Sequence, residues 1–126
     1  MAYLIVFIGA GLGGALRHVV NVLTMRLAHP TYVGTLFINV TGSFLIGAVV
    51  GYFALKAHLP SRLQLFLTTG ILGGYTTFST FSLETVLLIE RNQYGTAARY
   101  AAGSAILSVA ATFAALLLIR LLLRAG

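Results

Sequence analysis

The sequence predicts an all-α membrane protein: four transmembrane helices per chain, the third broken at mid-membrane, paired as an antiparallel, dual-topology homodimer. Three observations carry this prediction. Of 126 residues, 59% are hydrophobic and 8% charged, where a soluble domain carries about 25% charged residues. Four apolar stretches fill almost the whole chain, and one of them holds a run of glycines and threonines at its middle. Finally, the lysines and arginines divide almost evenly between the two sides that four spans would create. The mean hydropathy of +0.98 points to lipid as the solvent. A hydrocarbon core of about 30 Å takes about 20 helical residues, so four spans account for nearly all of this single transmembrane domain, residues 1–126.

The first span covers about residues 3–24 and carries Arg17, His18 and Asn21 in its second half. Its start has neither a basic leader nor a small-residue cleavage pattern, so it reads as a span that stays. Residues 26–30 connect it to the second span, residues 32–55, and Pro30 prevents helix continuation. Residues 56–62 make the next connection, punctuated by Pro60. The third span covers residues 63–89 and is interrupted at Gly73-Gly74-Tyr75-Thr76-Thr77. After Glu90-Arg91-Asn92-Gln93 the fourth span runs over residues 94–123. Tyr3, Tyr32, Tyr52 and Tyr94 fall near span ends, a place that suits both headgroup anchoring and ordinary packing.

Four spans put Lys56, Arg62, Arg120 and Arg124 on one side, against Arg26, Arg91 and Arg99 on the other, with Arg17 set deeper. Orientation follows the Lys/Arg bias between sides, and here almost none exists. Copies inserted both ways up can pair about an axis in the membrane plane, as inverted repeats do within one chain. The net charge of +6 is spread singly with no basic stripe, which argues against nucleic acid as a partner. With no cysteine there is no disulfide and no thiolate metal site.

Polar residues inside the spans are informative because each must find a partner or line a cavity. On the fourth span Tyr100, Ser104, Ser108 and Thr112 recur every four residues, and on the second so do Thr35, Asn39, Ser43, Gly47 and Gly51. Such stripes serve close helix packing or, with hydroxyls and an amide but no acid, a donor track for an anion. Two glycines and two threonines make a poor helix interior. Backbone unwound at that depth frees carbonyls for a cation and gives the following half-helix a positive end. Phe78 and Phe81 share a helix face just after the break; they are lipophilic filling or ring edges turned to an anion. Gly9-Ala10-Gly11-Leu12-Gly13-Gly14 mimics a dinucleotide fingerprint but has no acidic residue before Glu84, so it reads as a packing face. Arg17 suits either snorkelling or an anion vestibule. His18, His29 and His58 form no metal-ligand pair. Glu84, deep in a span, is a functional candidate, an interhelical hydrogen-bond partner or the mate of an arginine.

Over essentially its whole length the chain resembles the Fluc (CrcB) family of fluoride channels. The resemblance rests on Gly11-Leu12-Gly13-Gly14-Ala15-Leu16-Arg17, on residues 34–44 around Asn39, and above all on residues 69–82, from Thr69 through Gly73-Gly74-Tyr75-Thr76-Thr77-Phe78 to Ser82. At Tyr75 the family usually has an aliphatic residue, which leaves backbone coordination untouched. The resemblance implies a passive, non-enzymatic channel in the inner cell membrane that relieves cytoplasmic fluoride. It further implies an antiparallel homodimer with two narrow pores and a structural sodium ion (Na+) at its centre. By matching position, Asn39, Phe78, Phe81 and Ser104 would contact fluoride, with Ser79, Ser82, Ser108 and Thr112 continuing a hydroxyl track and Arg17 near a vestibule. The backbone carbonyls of Gly73 and Thr76 would hold the sodium. The alternatives are a proton-coupled multidrug or cation exporter of dual topology and a non-conducting scaffold. An exporter needs a carboxylate facing its cavity, usually in the first span, and the first two spans have no acid; a scaffold leaves the interrupted third span unexplained.

The near-absence of charge bias makes a direct prediction. Reporters fused to the C-terminus are expected to be active on both sides of the membrane; activity from one compartment alone would contradict dual insertion.

Overall fold

A computed structural model describes residues 1–56 and 58–125. Ala57, inside the expected connection of residues 56–62, and Gly126 lie outside the described residues. The described chain is helical throughout, joined by short turns: α1 (Ala2–Arg26), α2 (Thr31–Leu55), α3 (Ser61–Leu65), a π-helical segment (Phe66–Leu72), α4 (Gly73–Tyr75), α5 (Phe78–Glu90) and α6 (Tyr94–Arg124). The helices α1, α2 and α6, of 25, 25 and 31 residues, are each long and apolar enough to cross a membrane. Their outer faces keep large apolar side chains exposed, among them Phe7, Ile106, Val109 and Leu121. Exposure of that extent is tolerable only where the surroundings are themselves apolar.

Local chemistry sets the element ends. Pro30 and Pro60 precede α2 and α3 with φ of −59° and −61°, pre-set for helix entry without an amide to satisfy. α1 and α5 close with Ala28 and Asn92 at φ 59°. The amides of the residues that follow, His29 and Gln93, return to the carbonyls of Thr24 and Leu88, which satisfies the last turns.

Helical geometry stops at Tyr75 and restarts at Phe78. The two intervening threonines are extended, with φ/ψ of −77°/156° at Thr76 and −150°/120° at Thr77, a conformation that β-branched side chains accept readily. Gly73 and Gly74 remain helical, so the glycines do not supply the bend. Gly74 is there for contact: a Cβ built on it would sit 2.3 Å from the Ala10 carbonyl oxygen.

The same logic runs along the α1 contact with the π segment. Helix-interior glycine costs about 1 kcal/mol relative to alanine, and α1 carries four between residues 9 and 14. Two of them, Gly9 and Gly13, are buried. A Cβ on Gly9 would meet the Gly70 Cα at 2.8 Å, and one on Gly13 would meet the Ile71 carbonyl oxygen at 1.9 Å. Gly9 and Gly13 on one side, with Gly70 and Gly74 on the other, therefore let two backbones touch. α2 lies along α6 in the most extensive helix pair, with Gly47 against the Thr112 backbone and Gly51 against Leu116 and Ile119. A smaller core joins Leu88, Ala97 and Tyr100 to Tyr32, Leu36 and Phe81.

Because backbone cannot move aside cheaply, Gly13→Ala is expected to cost about 1–3 kcal/mol or more of stability. Gly11→Ala, at a position with open space around its Cβ, is expected to stay within about 0.5 kcal/mol of the parent. Thermal or denaturant unfolding in micelles compares the two.

Candidate functional site: a cleft at the helix interruption

The interruption is held from one side by α2. The Asn39 side chain donates from Nδ2 to the Thr77 carbonyl at 3.0 Å and accepts at Oδ1 from the Thr77 amide at 2.9 Å. This closed two-bond ring satisfies both polar groups of an extended peptide. Two residues before Thr77, the Tyr75 hydroxyl lies 2.9 Å from Thr41 Oγ1 on α2. Thr41 itself donates to the Phe37 carbonyl at 2.6 Å, so Tyr75 is the donor of that pair. Thr77 then caps α5: its Oγ1 accepts from the Thr80 amide at 3.2 Å. The Thr76 amide keeps its helical bond to the Leu72 carbonyl at 3.0 Å.

Beside this junction α2, α4, α5 and α6 enclose a cleft of about 400 Å³. Of the residues singled out in the sequence, Asn39, Gly73, Thr76, Phe78, Phe81, Ser104 and Ser108 line it. Phe78 stands at its mouth, 79% exposed. Its ring lies 5.5 Å from that of Phe81, which lies 5.2 Å from Tyr100, which lies 5.3 Å from Tyr32. A chain of four mutually tilted rings thus leads from the cleft into the core. Ser104 is buried, and its Oγ has no hydrogen-bond partner among the described residues. The N-terminus of α5, begun by Phe78, brings a partial positive charge to the same wall.

Four other singled-out residues lie away from the cleft. Thr112 donates to the Ser43 carbonyl at 2.8 Å and ties α6 to α2. Ser82 bonds back to the Phe78 carbonyl at 3.0 Å, the local satisfaction open to any helical serine. Ser79 is within 3.4 Å of Thr77 Oγ1. Arg17 is half-buried on α1, a helix that contributes no residue to the cleft.

A second buried polar group adjoins the aromatic chain. Thr35 Oγ1 donates to Glu84 Oε1 at 2.5 Å, joining α2 to α5. Of the roles open to Glu84, the structure shows an interhelical hydrogen bond. Glu84 Oε2 and the Tyr100 hydroxyl are buried without partners among the described residues. The pairing of Thr35 with Glu84, 49 positions apart, had no signal beyond the presence of each residue on a polar stripe or inside a span. Thr77, whose backbone and hydroxyl both organise the junction, was visible only as part of the threonine pair.

A chain that is helical over its described residues, with several helices able to span a membrane and a largely apolar cleft carrying a few polar side chains, is a multi-pass membrane protein. The profile of the family described as CrcB-like protein, Camphor Resistance (CrcB), matches residues 4–116, and the chain belongs to that family. It is 62% identical over 125 residues to a protein of Granulibacter bethesdensis, covering 98% of both chains. It is 52% identical over 117 residues to one of Methylobacterium nodulans, covering 93% of this chain and 94% of the other. A third relative, from Rhodopseudomonas palustris, is 51% identical over 123 residues, with 95% and 98% covered. Each of these relatives is named as a fluoride-specific ion channel, FluC, and none as an enzyme.

The Thr35–Glu84 contact is testable by stability. Glu84→Gln retains the short-range acceptor for the buried Thr35 hydroxyl, whereas Glu84→Leu leaves it only the 3.4 Å bond to the Thr31 carbonyl, at an expected cost of about 0.5–1.5 kcal/mol. Thermal unfolding in micelles should separate the two variants in that order; equal stability would mean that the contact contributes nothing.

Proposed function

We propose that this chain is a fluoride-selective passive channel. It works as an antiparallel homodimer in the inner cell membrane and lets fluoride leave the cytoplasm down its gradient. Identity of 62% across nearly the full length to a protein named as a fluoride channel supports the reading. The observation that carries the site is the unpartnered Ser104 hydroxyl, buried in the wall of a cleft also lined by Asn39, Phe78 and Phe81. Nothing in the relatives' names favours the exporter alternative.

In this reading α3, the π segment, α4 and α5 together form the third of four spans, with the Thr76–Thr77 interruption at mid-membrane. Non-helical backbone at that depth is stable when it is buried in protein or faces a cavity. The exposed Phe78 ring and the cleft's open side would be covered by the oppositely oriented copy, giving two pores per dimer.

Fluoride is a small, strong hydrogen-bond acceptor, so it leaves water only where donors replace its hydration shell. The Ser104 and Ser108 hydroxyls and the second N–H of Asn39 Nδ2 are such donors. The Phe78 and Phe81 ring edges add positive potential without presenting a competing acceptor. Ser79, Ser82, Thr112 and Arg17 belong to the outer reaches of the route in this reading. A central sodium would be held by the Gly73 and Thr76 carbonyls of both copies. These residues fit it, because neither carbonyl receives an N–H from the backbone across the interruption. Bound there, sodium supplies fixed positive charge that offsets the cost of dehydrating the anion.

Liposomes containing the purified protein are expected to lose fluoride rapidly and retain chloride; equal leakage of both ions would refute selectivity. Phe78→Ile and Phe81→Ile are each expected to slow fluoride efflux about tenfold, the effect of raising a barrier by about 1.4 kcal/mol. Unchanged efflux in both would return the rings to a packing role.

A further inference from the structure

We infer that Asn39 and Thr77 are positioning residues for the cation site: they hold the Gly73 and Thr76 carbonyls open by taking the amide hydrogens that a continuous helix would return to them. The inference rests on the reading of these carbonyls as sodium ligands and concerns what prepares them.

In an α-helix the carbonyl of residue i accepts from the amide of residue i+4. The amide due to Gly73 is that of Thr77, and the amide due to Thr76 is that of Thr80. Both are diverted to side-chain oxygens. Thr77 N–H donates to Asn39 Oδ1 at 2.9 Å, and Thr80 N–H donates to Thr77 Oγ1 at 3.2 Å. The carbonyl between these two acceptor sites and α5, that of Thr77, is occupied by Asn39 Nδ2 at 3.0 Å. The end of the helix frees the last carbonyls; the Asn39 amide and the Thr77 hydroxyl keep two of the freed amides from returning to the Gly73 and Thr76 carbonyls, and Asn39 closes the carbonyl of Thr77.

Selection of this kind has an energetic consequence. A carbonyl already hydrogen-bonded inside the protein must give up that bond before it can coordinate an ion, and a carbonyl held open does not. Thr77 is buried, 8% exposed, so water is a poor substitute for either diverted bond. Asn39 also lines the cleft, which makes one side chain common to the anion route and to the cation ligands.

The test is sodium-dependent stability of the full-length protein in micelles, with sodium chloride exchanged for N-methylglucamine chloride at constant ionic strength. Wild type is expected to be stabilised by sodium. Thr77→Ser keeps the acceptor and is expected to leave the half-effect concentration unchanged. Thr77→Val removes the acceptor of the Thr80 amide, so that the junction gains by turning helical and returning that amide to the Thr76 carbonyl, and is expected to raise it about tenfold, the net worth of one hydrogen bond. If wild type responds to sodium and Thr77→Val responds identically, the positioning role is wrong and the sodium reading stands. If wild type shows no response, the sodium reading fails and takes the inference with it. Should Thr77→Val not fold, carbonyl-13C resonances of Gly73 and Thr76 in sodium-free wild type decide the matter. Shifts typical of carbonyls without a hydrogen bond, moving on addition of sodium, are expected; shifts typical of bonded carbonyls before any sodium is added would overturn the proposal.

Discussion

The ring of two hydrogen bonds between the Asn39 amide and the Thr77 peptide is the contact on which the cleft depends. An apolar solvent offers a bare amide or carbonyl nothing, and each such group left alone costs several kcal/mol. Extended residues between two helical segments therefore need partners from elsewhere in the protein. A side-chain amide is well suited, since it presents a donor and an acceptor with the spacing of a peptide group. Asn39 sits on α2, so the junction is registered against a different helix from those it joins. The position of Phe78 and the start of α5 follow from that registration.

The second constraint is backbone proximity. Gly9 and Gly13 of α1 meet Gly70 and Ile71 at distances that no side chain would permit. With lipid as solvent, helices gain little from hiding apolar side chains, and dispersion at close range contributes more of the association. The glycines of α1 lower helix propensity locally, and close contact with the π segment offsets that loss. α1 thereby braces the side of the junction opposite α2. It has no part in the cleft itself, and this separates the glycine-rich start of the chain from the polar chemistry at its middle.

Much of the site was readable because polar residues are rare in apolar stretches. Asn39, Ser104, Ser108 and the Phe78–Phe81 pair stood out against their surroundings, and all of them line the cleft. The reading was less sharp where one residue type serves two purposes. Gly73, Gly74 and the two threonines together looked like the cause of the interruption, yet the glycines are helical and Gly74 is a contact glycine, while the threonines alone carry the extended backbone. Thr112 and Ser82 share the stripe chemistry of Ser104, but their hydroxyls are spent on the Ser43 and Phe78 carbonyls. Whether a hydroxyl is free is a property of its neighbours, and spacing along one helix does not report it.

By itself the sequence determined the solvent, the helical class and the approximate ends of α1, α2 and α6. Composition, the length of each apolar run and the prolines act locally or in sum. It also determined which residues had chemistry to offer, since hydroxyls, an amide and ring edges among aliphatic side chains are conspicuous without coordinates. Only the tertiary structure decided how that chemistry was allotted. The pairing of Asn39 with Thr77, of Thr35 with Glu84, and of Thr41 with Tyr75 each joins positions 34 or more residues apart. A hydrogen bond acts over about 3 Å, and which distant groups come within that reach is fixed by how the helices pack.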